Sequence, residues 1–146
     1  MSYDAVSIAK YIISYCTDKQ CPISNLKLQK MIYFSWIQFY KKEKKYLFND
    51  EICAWQLGPV VPKVYYEFCS YAGIPISRNY SVDIATADRN TLNTIIDNYL
   101  PKSASSLVNQ THQPNKPWAI IYNNGYGLRD VIPFSLIIEM ECSDED

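Results

Sequence analysis

A single histidine, four glycines and no C-x-x-C pair leave this 146-residue chain short of the groups from which most catalytic and metal centres are built. So few glycines make backbone cradles for phosphate scarce, and neither a P-loop nor G-x-G-x-x-G is present; H-E-x-x-H is absent too. No metal and no cofactor is expected. The five cysteines, Cys16, Cys21, Cys53, Cys69 and Cys142, form an odd set without zinc-knuckle spacing, which points to a reducing compartment and mostly buried thiols. The remaining catalytic reading, a Cys/His hydrolase, rests on His112 meeting one of those thiols, and the spacing does not favour it over inert thiols. Asp88 and Asp97 form no paired acidic motif and read as solvated. No apolar run approaches the roughly 20 residues that span a bilayer, and Asp4 and Lys10 interrupt any leader, so no membrane contact and a cytoplasmic location are expected. A net charge of −1 gives no footprint for nucleic acid. Its halves differ, however: up to Lys63 the net charge is +4, and from Val64 onward it is −5.

What the chain has is helix-forming pattern. Ten of the fifteen positions in 26–40 are apolar or aromatic, so residues 23–43 are expected to form a central helix buried on most sides, with Ser24 as N-cap. Lys27, Lys30 and Gln38 fall in one narrow stripe of that helix, with Phe34 among them. Upstream, Ala5, Ile8, Ala9, Ile12 and Cys16 give an amphipathic first helix with Asp4 in its first turn. Downstream, the cations of 41–45 read as a solvated helix end. Asn49 and Asp50 suggest a turn in a small hairpin or a lone strand over 46–55. Gly58 and Pro59 break the chain, and Pro62 opens a third helix that Gly73 stops. Residues 74–84 read as an extended segment, one form of which is an edge strand against 52–55. Helices are expected over 88–100, 103–111 and 118–122, a turn over 123–127, and a last segment over 133–140, helix preferred to strand. Thirteen tyrosines are read mainly as the rim of the core. The fold class is mainly α: one compact domain, 1–141, around a central buried helix, with a small β-hairpin or a short two- to three-stranded sheet and an acidic, frayed tail at 142–146. These patterns reach a small helical domain that binds rather than transforms.

Three stretches sharpen that reading. I-S-N-L-K-L-Q-K-M-I-Y-F from Ile23, A-W-Q-L-G-P-V-V-P-K-V-Y from Ala54, and Thr111-His112 followed after four residues by Pro117-Trp118 together resemble the Panacea antitoxin domain, the SocA-like group also described as phage-associated GepA-like proteins. The resemblance spans nearly the whole chain, although 130–141 is apolar and interrupted by Pro133 where many relatives have a regular polar helix. It implies a protein that neutralises a cognate toxin by direct contact, one known mode being an adaptor that hands the toxin to a ClpXP-type protease. The alternative is a phage- or mobile-element-borne inhibitor of a host defence protein. Of the motif residues, Leu26, Gln29, Trp55, Gly58, Pro59, Pro62, His112, Pro117 and Trp118 are expected to serve structure, His112 by bonding a backbone group to pin the 113–117 loop. Partner contact is expected from Lys27, Lys30 and Phe34 on the polar stripe and from Tyr65 and Tyr66.

Overall fold

The greasy segment becomes the helix against which most other helices and β2 pack. In the computed structural model, which describes residues 2–143, α2 (Asn25–Glu43) contacts α1 (Ala5–Asp18), α3 (Pro62–Glu67), α4 (Thr86–Tyr99), α5 (Ala104–Thr111) and the C-terminal segment. Its start is the expected one, with the Ser24 hydroxyl accepting from the Lys27 amide at 3.3 Å; Lys44 in the left-handed conformation ends it. Leu28, Met31, Ile32, Trp36 and Phe39 lie in the core together with Ile8, Ile12, Ile13, Ile96 and Leu107. Trp36, with no exposed surface, stacks between Phe134 and Tyr40 and donates its indole N–H to Phe48 O at 3.0 Å.

The stripe holding Lys27, Phe34 and Gln38 is not a surface. It is the seat of the last turn of α4: Phe34 stacks on Tyr99 with centroids 4.9 Å apart, Gln38 reaches the Tyr99 hydroxyl, and Lys27 Nζ donates to Leu100 O at 2.6 Å. A cation at a carbonyl-rich helix end is favourable, so polarity here serves the α4 terminus rather than solvent. α1 and the residues just before it meet α4 through phenols. Tyr3 donates to Asp88, Tyr11 to Asn93 and Tyr15 to Asp97, which gives both aspartates partners where the sequence suggested solvent alone. The N-terminus of α1 is served from afar: Asp50 accepts from the Ala5 amide at 3.0 Å, and Lys63 bridges Asp50 and Asp4.

The sheet lies one step further on than the turn residues Asn49 and Asp50 suggested. β1 (Cys53–Trp55) pairs antiparallel with β2 (Gly58–Val60), the two-residue connection being Gln56 and Leu57. Residues 129–132 add a third rung on the far edge of β1, with Arg129 N donating to Ala54 O, Ala54 N to Asp130 O and Ile132 N to Ile52 O. That edge was expected to be covered by 74–84, which is extended but bridges Ile23 through Ile76 instead. α3 is shorter than expected, giving way to a 3-10 turn at Cys69–Tyr71 before Ala72 turns to positive φ. After α5 come α6 (Pro117–Tyr122) and α7 (Phe134–Ile137), the latter continuing as a π-helical turn, Ile138–Cys142. The last segment is therefore helical, as expected. Cys142 is buried beside Ile37 O, so the packed body includes this first residue of the expected tail; 144–146 lie outside the described residues. Cys16, Cys53 and Cys142 are buried, and Cys21 and Cys69 are exposed. Among the described residues no helix is long and apolar enough to cross a membrane.

Replacing Phe34 with Ala empties the seat of Tyr99. We expect a loss of about 3–5 kcal/mol in unfolding free energy, the range for buried Phe truncations, measured by urea melts followed by circular dichroism. A loss below about 1 kcal/mol would return Phe34 to the surface role that its neighbours suggested.

Candidate functional site

All three motifs converge where α2 faces the hairpin and the start of α3. From α2, Gln29 accepts from the Val61 amide at 3.0 Å and donates to Asn25 Oδ1, while Asn25 Nδ2 donates to Tyr65 O at 3.2 Å. Lys30 donates to Pro59 O at 2.8 Å. Side chains one turn apart on a buried helix thus supply the hydrogen bonds that an irregular strap lacks, because buried backbone groups must be paired somewhere. Pro62 at the first position of α3 completes the strap without needing an amide acceptor.

Gly58 is fixed by this crossing. Its φ is +116°, and a Cβ there would sit 2.8 Å from Thr111 Oγ1 and 3.0 Å from Lys30 Cε. The third motif closes the other side. Trp118, on α6 behind the buried Pro117, donates its indole N–H to Trp55 O at 2.7 Å. The His112 ring lies flat on Trp118, centroids 3.8 Å apart. Its Nε2 is buried without a hydrogen-bond partner, so the expected backbone bond from that atom is replaced by stacking. Burial, and then the charge of Lys30, hold His112 below its ordinary value, which keeps the ring neutral at physiological pH.

Lys30 is the group that sequence reasoning placed most wrongly. Expected on an exposed stripe with Phe34, it has 0% of its surface exposed, against 4% for Phe34. Desolvation alone lowers its ammonium to about 7. It lines a groove of about 200 Å³ together with Leu26, Trp55, Gln56, Leu57, Val60 and Tyr65. Above the groove Trp55 is half-buried, meets Tyr65 and Tyr66 edge-on at 5.0 and 6.0 Å, and carries the Arg129 guanidinium 4.2 Å from its ring centre. Tyr66 and Leu57 are 57% and 52% exposed. Leu128, just before the third rung, and Val131 within it are exposed as well.

Of the five residues expected to touch a partner, Tyr65 and Tyr66 are therefore brought together with the motif tryptophan, whereas Lys27 and Phe34 face α4 and Lys30 faces inward. Leu57, Arg129 and Asn25 were missed. Asn25 and Gln29, four residues apart on one helix face, were legible as a pair; nothing local to Arg129 signals that it lies over Trp55, 74 positions away. Among the described residues no three His, Cys, Asp or Glu side chains stand close enough to hold a metal ion, and His112 has no thiol as a hydrogen-bond partner.

Comparison with known proteins adds a family. The family described as antitoxin SocA-like, Panacea domain, matches residues 28–119, which include Gln29, Lys30, Trp55, Gly58, Tyr65, Thr111, His112 and Trp118 but not Asn25, Leu26 or Arg129. The chain is also similar to the antitoxin SocA of Caulobacter vibrioides, 32% identical over 148 residues that cover 88% of this chain and 78% of that protein. No solved structure gives a significant match.

The Lys30 environment sets a pH dependence. Folded Lys30 sits at about 7, while an unfolded lysine titrates near roughly 10.4. Between these values the unfolded chain holds a proton that the folded chain lacks, so this residue's contribution to stability rises with pH across that window and is least favourable below pH 7. The unfolding free energy of the wild type minus that of Lys30→Met should increase by about 1 kcal/mol per pH unit between roughly pH 7.5 and 9.5. Paired urea melts read this difference directly, and a flat difference would mean an ordinary amine.

Proposed function

Since the chain belongs to the SocA-like Panacea antitoxin family, we propose that it is an antitoxin that neutralises a protein toxin by direct contact and does no chemistry of its own. The observation that carries the reading is the cluster of exposed Tyr66, Leu57 and Arg129 around the half-buried Trp55, mounted on the strap that α2 holds. Trp, Tyr and Arg are the residue types that dominate binding energy at protein interfaces, and a preorganised strap lowers the ordering cost of docking. Buried motif residues support the surface, and the rim meets the toxin.

Two modes are compatible with such a surface. In the first, the rim covers the toxin's working surface and the complex persists. In the second, the chain is an adaptor and the bound toxin passes to a ClpXP-type protease. The rim argues for the first as the simpler mode, because occlusion needs one surface and delivery needs two. A host defence protein in place of a toxin would use the same rim, and the neighbouring genes separate these partners.

Co-expression with the open reading frame beside this gene should restore growth and yield a complex that co-purifies. Tyr66→Ala combined with Arg129→Ala should weaken binding by at least 100-fold with an unchanged melting temperature, since each removes an exposed anchor. Rescue that survives in cells lacking ClpXP selects occlusion; rescue lost there selects delivery. A toxin neutralised equally well by the double variant would remove the rim from the mechanism.

A further inference from the structure

Lys30 has none of its surface exposed, and among the described residues its Nζ has one acceptor, Pro59 O at 2.8 Å, for a group that carries three N–H donors when charged. Gly58 and Thr111 close over its end, the space at residue 58 being shared between Thr111 Oγ1 and Lys30 Cε. Behind Thr111, His112 has its Nε2 buried without a partner, so a second proton there would also lack an acceptor. The titratable and charged groups that face Lys30 are His112 from the end of α5, Tyr65 from α3, and Arg129 across Trp55. Lys27, on α2 itself, is turned to Leu100 O, and Lys63 of α3 pairs outward with Asp4 and Asp50. Among the described residues no carboxylate stands within ion-pair distance of Lys30. A neutral amine fits this seat, whereas an ammonium in it lacks the water or anion that would satisfy its remaining donors.

The piece that covers Lys30 is slight. β2 is three residues long, its turn residues Gln56 and Leu57 are exposed, and its side-chain links to α2 are Gln29 at Val61 N and Lys30 at Pro59 O. β1 is held separately, by 129–132 along its far edge and by Trp118 at Trp55 O. We propose that β2 with its turn is a proton-operated latch: when Lys30 takes up a proton, residues 56–61 lift from α2 and let water reach the ammonium, and when Lys30 is neutral they close. The opening is local, because α1 and α4 contribute none of the bonds that it breaks. Closed, Lys30 titrates at about 7; in contact with water it approaches the ordinary lysine value of roughly 10.4. Between these values the open form carries a proton that the closed form lacks, so opening becomes rarer as pH rises, by up to about tenfold per unit. His112, held below its ordinary value by burial and then by Lys30, acts in the same direction at lower pH. A toxin docked on the closed strap, which presupposes the antitoxin reading, holds Lys30 neutral, and its affinity therefore rises with pH across the same window.

Cys53 reports the latch without knowledge of the toxin, because its cross-strand partner is Val60 and it is 6% exposed when β2 is closed. The full chain is alkylated with dilute iodoacetamide, and the labelled sites are resolved by mass spectrometry. At roughly pH 7.5, Cys53 should react at least about 100-fold faster than the buried Cys16 of α1, at a rate that hardly responds to about 1 M urea, since a local opening exposes little surface. Dividing the Cys53 rate of the wild type by that of Lys30→Met cancels the ionisation of the thiol, and this ratio should fall at least about tenfold between roughly pH 7.5 and 9.5. Lys30→Gln, which offers Pro59 O a neutral donor, should give the same profile and serves where the Met variant fails to fold. A ratio that stays level overturns the latch. So does a Cys53 rate that matches Cys16 and climbs with urea, because Lys30 would then take its proton only on global unfolding. A level profile beside intact toxin neutralisation rejects the latch alone; the expected Cys53 profile in a chain that neutralises no toxin rejects the antitoxin reading alone.

Discussion

A helix enclosed on every side must find a partner for each polar group it carries, and that constraint on α2 organises the molecule. Most of the buried residues of α2 are satisfied by apolar packing; the decisive ones are Asn25, Gln29 and Lys30, whose side chains end at Tyr65 O, Val61 N and Pro59 O. Because those bonds cross from a regular helix to an irregular strap, they fix where the strap runs. Its approach leaves no room for a Cβ at residue 58, and so dictates glycine there. Thr111 and the α5 terminus must then fit the same crossing, and the indole of Trp118 secures the hairpin from behind through Trp55 O. Three motifs that are far apart in sequence are one arrangement in space.

The cost of this arrangement is concentrated in Lys30. A methionine would fill similar volume without desolvating an ammonium, and replacing buried ionic groups by apolar ones is often neutral or stabilising. The single charge-assisted bond to Pro59 O recovers part of that cost, such bonds contributing roughly 1.5–3 kcal/mol. Gln29 shows that the strap is also held by neutral amides, so a backbone clamp here does not require charge.

Element type was legible in the sequence where period and caps agreed. α1, α2, α4, α5 and α6 follow from apolar spacing with Ser24, Ser103, Pro117 and their neighbours as punctuation. The hairpin was misplaced because Asn49 and Asp50 are good turn formers in isolation, while Asp50 is used across space to cap α1. The pairing of Ile76 with Ile23, and of 129–132 with β1, are contacts between distant segments, about which local alternation carries no information. Within the site, the motifs located the strap and the two tryptophans. The stripe of α2 misled because polarity on a helix face reports a polar neighbour, and the neighbour of Lys27 and Gln38 is the α4 terminus rather than water.

Frame and rim therefore answer to different constraints. Asn25, Gln29, Lys30, Gly58, Thr111 and Trp118 are fixed by hydrogen bonds, positive φ or close contact, so change there disturbs the backbone itself. Leu57, Tyr66 and Leu128 expose about half of their surface, and what they contribute to folding is small by comparison. Arg129 lies between the two classes, since its amide belongs to the third rung whereas its guanidinium rests on Trp55 from outside. A surface assembled in this way can exchange the side chains that choose a partner while the strap presenting them stays in place.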